Sequence, residues 1–274
     1  MPLTPMQRHL CASGWFALAV WLGAALFGPS LLALVGLEAW MASHPHLYSH
    51  GHPFVDARSW LGVPNALDVL SNLPLALAGL WGMALLAKRR RPMDLHKNTG
   101  QVLRVFFLGL MLTAAGSAVY HWSPSVLGLA LDRLGMAVAF AGVLGLAMAE
   151  RVGARIARNT LIAVLLVGGL SAVMPVVHGN VLPWAVVQFG GMAFLAWAAW
   201  RKPLPTALGV SLGSVLALYA MAKLFETGDA HVFRALNGLV SGHTLKHLAA
   251  AAAAWPVIRA LRENAQSERV ATHK

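Results

Sequence analysis

Five polar residues within apolar stretches of this sequence carry side chains that could together do chemistry. They are Ser117 and His121 in GSAVYH, Asp132 in LALDRLG, and His243 and His247 in SGHTLKH. Inside a membrane, polar and ionisable side chains are costly, so those that occur there usually have a partner or a function. Three imidazoles can hold a zinc ion with one coordination position left open, and zinc in such a site activates water. These residues therefore predict an intramembrane metal hydrolase.

The spacing of the histidines supports a shared metal site. His243 and His247 are four residues apart, which places both on one face of a helix, and Ser117 and His121 have the same spacing. Structural histidines also produce an HxxxH pattern, so the pattern alone is weak. The stronger indication is that a third histidine and Asp132 fall at the same predicted depth in the membrane.

Asp132 and Ser117 are the candidate catalytic groups. Asp132 would orient the water, accept its proton and pass that proton to the leaving group. Alternatively, Asp132 holds one of the histidines in place, or pairs with Arg133 or Lys223. Ser117 would donate a hydrogen bond to the oxyanion of a tetrahedral intermediate. The alternative for Ser117 is a hydrogen bond to the carbonyl four residues earlier in its own helix.

The composition is that of a membrane protein. Of the 274 residues, 58% are hydrophobic and 11% are charged, whereas a soluble domain needs more charge to cover its surface. The apolar runs lack the two-residue alternation of barrel strands, so we expect helices. The formal net charge is +11, but the basic residues lie in short loops between apolar runs, so nucleic acid is not an expected partner. Cys11 is the only cysteine, which excludes an intrachain disulfide and cysteine-based zinc fingers.

Eight apolar runs are long enough to cross a bilayer as helices. The first is too long for the apolar core of a signal peptide, and we interpret it as a retained helix. The predicted fold class is therefore all-α: a polytopic membrane helix bundle with a seven-helix hydrolase core and one extra N-terminal transmembrane helix. The predicted spans are Gly14–Leu37, Ala66–Ala87, Val102–Trp122, Val126–Met148, Thr160–Val177, Leu182–Trp200, Thr206–Phe225 and Val232–Leu261.

This pattern divides the chain into four predicted parts. Residues 1–40 form the extra transmembrane helix, and residues 41–64 form an outer loop rich in histidine and proline. Residues 65–262 form the seven-helix catalytic membrane domain, and residues 263–274 form a polar cytoplasmic tail. Pro256 lies within the last span, where a kink or an early end of the helix is expected.

The basic residues predict the orientation in the membrane. With both termini on the cytoplasmic side, sixteen of the 21 lysines and arginines also fall there. The same arrangement places the five polar residues in the outer half of the bilayer. The Ala- and Gly-rich chain with short loops indicates the plasma membrane of a bacterium. The basic residues left on the outer side are Arg58, Arg133, Lys223, Arg234 and Lys246.

Other polar residues have structural interpretations. Ser71 and Asn72 could bond across helices and fix their packing. Lys223 and Glu226 are three residues apart near an outer helix end, and we expect them to pair or to extend toward the interface. Four histidines resemble a metal cluster, but they lie in a proline-broken loop and are interpreted as interface residues. They are His44, His46, His50 and His52.

Four sequence features together resemble the alkaline ceramidase family, within the seven-helix membrane hydrolases that include adiponectin-receptor-like proteins. They are SAVYH at Ser117–His121, Asp132 eleven residues after that histidine, HTLKH at His243–His247, and LSNLP at Leu70–Pro74. The resemblance extends from about Asn65 to about Pro256. Between the motifs, the spans match only in number and hydrophobicity.

The resemblance implies a zinc-dependent amide hydrolase that splits ceramide-type membrane lipids into a fatty acid and a sphingoid base. It makes His121, His243 and His247 the zinc ligands. It also implies that Asp132 activates the water and that Ser117 stabilises the oxyanion. The substrate could also be another N-acyl lipid, such as an N-acyl amino acid or an ethanolamide.

The sequence departs from this family in two places. Eukaryotic members carry an acid-rich calcium site just before their first helix. Here that stretch offers only Asp56, Trp60, Asn65 and Asp68, which speaks against calcium. The helix predicted at Gly14–Leu37 is the second departure, because it lies outside the seven-helix pattern.

Two functions of other classes remain open at this point. A zinc-binding membrane receptor or scaffold would need the same histidines, but not an aspartate and a serine around an open position. A water bound to the metal beside Asp132, with a tail-sized cavity leading to it, would favour the enzyme over this alternative. A metal transporter would need polar groups at several depths, and the inner halves of the helices offer almost none.

Overall fold

The described part of the chain is built from α-helices. The computed structural model describes residues 5–34, 54–88 and 97–272, and within these ranges the only extended pairing is an isolated bridge between Trp60 and Val63. The predicted all-α class is confirmed. In chain order the helices are α1 (Pro5–Leu34), α2 (Ala66–Leu70), α3 (Leu73–Ala87), α4 (Lys97–Trp122), α5 (Val126–Arg151), α6 (Ala154–His178), α7 (Leu182–Ala199), α8 (Leu212–Thr227), α9 (Asp229–Ala235), α10 (Gly242–Ala252) and α11 (Trp255–Thr272).

Five helical segments within the described ranges are long and apolar enough to cross a membrane. They coincide with five of the eight predicted spans, which confirms the prediction of a membrane helix bundle. The first predicted span lies mostly in α1, whose apolar stretch is the shorter segment Ser13–Gly28. The five segments are Ala66–Ala87, Thr99–Trp122, Val126–Arg151, Ala154–His178 and Leu182–Ala199.

Helix α1 forms hydrogen bonds to α6 and to the turn between α6 and α7. The indole Nε1 of Trp21 donates to the Ser171 hydroxyl of α6 at 2.7 Å. The side-chain amide of Asn180 donates to the Ala24 carbonyl at 2.9 Å. Much of the rest of α1 presents large apolar side chains outward, such as Phe16 at 72% exposure, as expected of a helix in contact with lipid.

Helices α4 and α5 approach each other closely through glycines. A Cβ on Gly109 of α4 would lie 2.2 Å from the backbone nitrogen of Ala139, and one on Gly135 of α5 would lie 2.4 Å from the nitrogen of Thr113. Both distances are too short for any side chain. Small residues allow such close packing where lipid provides no hydrophobic force between helices. The close contact fixes the end of α4 relative to α5.

The prediction of one continuous last span at Val232–Leu261 is wrong. Helix α9 ends at Ala235, and helix α10 begins only at Gly242. Asn237 and Gly238 between them have positive φ angles of 50° and 76°, which are incompatible with a right-handed helix. A second break, before α11, falls just ahead of Pro256, in agreement with the predicted kink or early end of the helix.

The span predicted at Thr206–Phe225 is also shorter than expected, because α8 begins at Leu212. The buried carboxylate of Glu150 holds the preceding stretch out of the helix. Its Oε1 accepts the Leu208 N–H at 2.6 Å, and its Oε2 accepts those of Gly209 and Val210 at 3.0 and 2.9 Å. Because hydrogen bonds to a charged carboxylate are strong, these three bonds stabilise a turn beside this end of α5.

Candidate metal centre

Three histidines are brought together by the end of α4 and the start of α10. His121 lies in the last turn of α4, and His243 and His247 lie in the first two turns of α10. The Ser241 hydroxyl caps α10 by accepting the Thr244 N–H at 3.0 Å. A carboxylate oxygen of Asp229 accepts the His243 N–H at 2.8 Å. These two caps fix where α10 begins, and therefore which face its imidazoles occupy.

The geometry of the three imidazoles fits a metal ion. All three side chains are buried, and one ring nitrogen of each lies within 4.8 Å of the other two. The Nε2 atoms of His121 and His243 are 3.1 Å apart. Tetrahedral zinc with bonds of about 2.0–2.1 Å requires ligand nitrogens about 3.3 Å apart. The prediction that His121, His243 and His247 converge on one site is confirmed, and neutral imidazoles suit zinc among other transition metals.

The group of close ligand atoms offers three protein ligands. Within the described ranges, this group contains the three histidines and no carboxylate. A closed structural zinc site has four protein ligands, so this donor set alone does not complete one.

Ser117 and Asp132 lie beside this group, as predicted. The Ser117 hydroxyl is buried and lies 3.4 Å from the Nε2 of His247. The Asp132 carboxylate, which is 8% exposed, interacts with that hydroxyl. Asp132 is in the second turn of α5, where the Ser125 hydroxyl caps the helix by accepting the Gly128 N–H. The five residues selected from the sequence therefore form one constellation.

Ser71 is a further residue of the site, and the packing role assigned to it from the sequence is incomplete. Its hydroxyl lies 2.7 Å from the Nδ1 of His247 and 3.2 Å from the Asp68 carbonyl oxygen. A metal bound to Nε2 leaves the proton of the ring on Nδ1. The ring then donates to the Ser71 hydroxyl, which donates to the carbonyl. Such a chain fixes both the tautomer and the orientation of a ligand histidine.

We expect Ser71→Ala to weaken zinc binding by roughly 10- to 100-fold, because His247 loses the group that orients it. The measurement is a zinc titration of the purified protein against a competing chelator. Ser214→Ala is the matched control, since Ser214 is exposed on α8. Equal zinc affinity in the Ser71 variant and the wild type would show that this hydroxyl does not hold the ligand.

A buried polar network joins α2 to the start of α10. The Oδ1 of Asp68 accepts hydrogen bonds from the hydroxyls of Thr244 at 2.7 Å and Ser241 at 3.2 Å. The side-chain amide of Asn72 donates to the Asp68 carbonyl at 2.9 Å, which is a local bond four residues back along the chain rather than the predicted bond across helices. The sequence signal for this network was the polar pair Asp68 and Ser71, which lie three residues apart at the start of an apolar span.

Two residues of the stretch compared with a calcium site bond to different protein groups. The carboxylate of Asp56 accepts two 2.7 Å hydrogen bonds from Arg58, which also donates to the Leu239 carbonyl at 2.9 Å. The hydrogen bonds from Arg58 hold the pKa of Asp56 below its ordinary value. Asn65 donates to a main-chain carbonyl at the end of α4, and Trp60 is 61% exposed.

Three charged side chains lie near the constellation. Lys223 pairs with Glu226 in α8, which confirms the predicted pairing. The Nζ of Lys246 lies 3.1 Å from the other carboxylate oxygen of Glu226. Lys246 lies 20 positions after Glu226, so no local sequence pattern indicates this contact. The predicted histidine loop at His44–His52 lies outside the described residues.

A largely apolar cavity opens beside the histidines. It encloses about 960 Å³ of space free of protein atoms, including its open mouth, and is lined in part by His247, Ser117 and Asp132. Along α4, the lining residues change from Ser117 through Thr113 to Leu110 and Phe106 at steps of about one turn. The cavity therefore has a polar end beside His247 and an apolar end along the helices.

Comparison of the chain with protein-family models and with curated protein sequences found no match.

Proposed function

We propose that this protein is a membrane-embedded, zinc-dependent amide hydrolase, which cleaves ceramide or a related N-acyl lipid into a fatty acid and an amine. The observation that carries the proposal is that His247, one of the three convergent histidines, lines the polar end of an apolar cavity. A fatty acyl chain would lie along the apolar wall, with its amide carbonyl at the metal centre. Ser117 and Asp132 line the same polar end, as this reaction requires.

Each residue of the constellation has a chemical task in this proposal. His121, His243 and His247 would hold the ion. When bound, zinc lowers the pKa of water and polarises a carbonyl group. Asp132 accepts a proton from the attacking water and delivers it to the leaving amine nitrogen. The Ser117 hydroxyl rotates from Asp132 to the amide oxygen and donates a hydrogen bond to the charge that develops there.

The cavity also favours turnover over the two rival functions. A zinc-binding receptor or scaffold has no need of an apolar space that leads to an open coordination position. A metal transporter needs successive binding sites, whereas the described residues contain one group of potential ligands close enough to hold an ion, and all three of its members are histidines. From the distribution of basic residues, we propose that the site lies in the outer half of the membrane and that both termini lie in the cytoplasm. The Ala- and Gly-rich composition with short loops favours the plasma membrane of a bacterium.

Removal of the metal tests this proposal. We expect the detergent-purified protein to release fatty acid from ceramide or another N-acyl lipid, to lose this activity with a strong chelator, and to regain it with added zinc. The measurements are fatty-acid release and bound metal per chain. Hydrolysis that continues after the metal has been removed would contradict the mechanism. Zinc binding without release from any N-acyl lipid would instead support the scaffold.

A further inference from the structure

Two lysines and one glutamate line the polar end of the cavity, together with Asp132 and His247. The Glu226 carboxylate is shared, with Lys223 at one oxygen and Lys246 at the other. The three side chains are only 17–28% exposed. We call Lys223, Glu226 and Lys246 the lysine pair and its bridging carboxylate.

This cluster has more N–H donors than its carboxylate accepts. One carboxylate lies between two ammonium groups, each of which has three N–H donors. Asp132 lines the same end and attracts Lys246, so the two ammonium groups face two carboxylates. Burial of a charged donor is costly unless its hydrogen bonds are satisfied. The N–H donors that remain on the two ammonium groups would be satisfied by an anionic group of a ligand in the cavity.

The cluster lies where the headgroup of a substrate would lie. Lys246 immediately precedes the ligand His247, and both line the cavity at the start of α10. Along α8, Lys223 is followed deeper in the cavity by Tyr219 and then by the apolar Val215. The lysine pair thus shares the end with the metal centre, and the apolar wall begins beyond it. A short headgroup on the scissile amide would reach the ammonium groups while the acyl chain fills the apolar end.

From this arrangement we infer that the preferred substrate carries an anionic headgroup close to its amide, as in an N-acyl amino acid, whose carboxylate binds the lysine pair. The inference rests on the proposed hydrolase function and narrows its substrate. Water adds across the amide: the C–N bond breaks, a C–O bond forms, and one proton passes to the amine. The products are a fatty acid and a free amino acid. Ceramide and ethanolamides, which have neutral headgroups, would be poorer substrates.

The test compares lipids that differ only in the headgroup. We expect kcat/KM for N-oleoylglycine to exceed that for N-oleoylethanolamide by at least about tenfold. Phosphorylated N-oleoylethanolamide distinguishes a phosphate from a carboxylate as the preferred anion. Lys223→Met with Lys246→Met should reduce the preference for N-oleoylglycine to about one. Lys202→Met, at an exposed lysine beyond α7, is the matched control and should preserve the preference.

A second variant should change the preference for N-oleoylglycine in the opposite direction. Glu226→Gln removes the bridging carboxylate and should increase the preference for N-oleoylglycine, provided that the variant elutes as a folded protein. This outcome separates a charge effect from a loss of packing, since both variants alter the same cluster. An unchanged preference in the folded lysine and glutamine variants would overturn the inference.

Binding without turnover separates this inference from the proposed function. In the His121→Ala protein, N-oleoylglycine should bind at least about tenfold more tightly than N-oleoylethanolamide, as measured by titration in detergent. If no lipid is hydrolysed but this difference persists, the hydrolase proposal fails and the anion site remains. If ceramide or N-oleoylethanolamide is cleaved with a kcat/KM equal to that of N-oleoylglycine, the hydrolase proposal stands and the headgroup inference fails.

Discussion

His121→Ala is expected to bind less than about a tenth of an equivalent of zinc per chain and to release no fatty acid above background. The imidazole of His121 is fully buried, and its Nε2 lies 3.1 Å from that of His243. Its removal leaves two histidines of α10, which offer too few ligands for a stable site. The measurements are metal analysis of the purified protein and fatty-acid release from an N-acyl lipid.

A histidine away from the centre provides the control for this variant. His178 is exposed at the end of α6, so His178→Ala should retain both zinc and activity. Size-exclusion profiles and thermal unfolding show whether the His121 variant is folded. Zinc content or turnover near the wild-type level in His121→Ala would refute the three-histidine centre.

Asp132→Asn is expected to lower turnover by about 10²- to 10⁴-fold while the zinc content stays near that of the wild type. Asparagine has nearly the same shape but cannot accept the proton of the attacking water. The metal should remain, because Asp132 does not belong to the group of close ligand atoms. Single-turnover rates and metal content, measured on the same preparation, test both halves of this prediction.

The control for Asp132→Asn is a carboxylate-to-amide change at an exposed site. Glu263 pairs with Arg259 on the surface of α11, so Glu263→Gln should leave turnover unchanged. Loss of zinc in Asp132→Asn would show that the carboxylate holds a histidine in place rather than moving a proton. Turnover within threefold of the wild type would leave Asp132 without a catalytic role.

The membrane spans and the histidine centre could be predicted from the sequence because both depend on local patterns. Apolar runs of helical length identify the spans, and a separation of four residues puts His243 and His247 on one face. Polar residues in apolar surroundings are few, so their convergence at one predicted depth was informative. The candidate site is therefore the part of the molecule that the sequence described best.

Other parts depend on contacts between distant residues, which no local pattern contains. Ser71 lies 176 positions before His247, and its role becomes visible only when their atoms are 2.7 Å apart. The link between Lys246 and Glu226 likewise requires α8 and α10 to pack side by side. The break before α10 was missed because Asn237 and Gly238 lie in a stretch whose overall hydrophobicity still favours a span.

The wide separation of the three histidines in the sequence has a consequence for biogenesis. His121 precedes His243 by 122 positions, so a ribosome must add 122 residues after His121 before the first histidine of α10 is complete. Since one histidine alone retains zinc poorly, the proposed ion would be acquired only after α10 has been made and has brought His243 and His247 to His121.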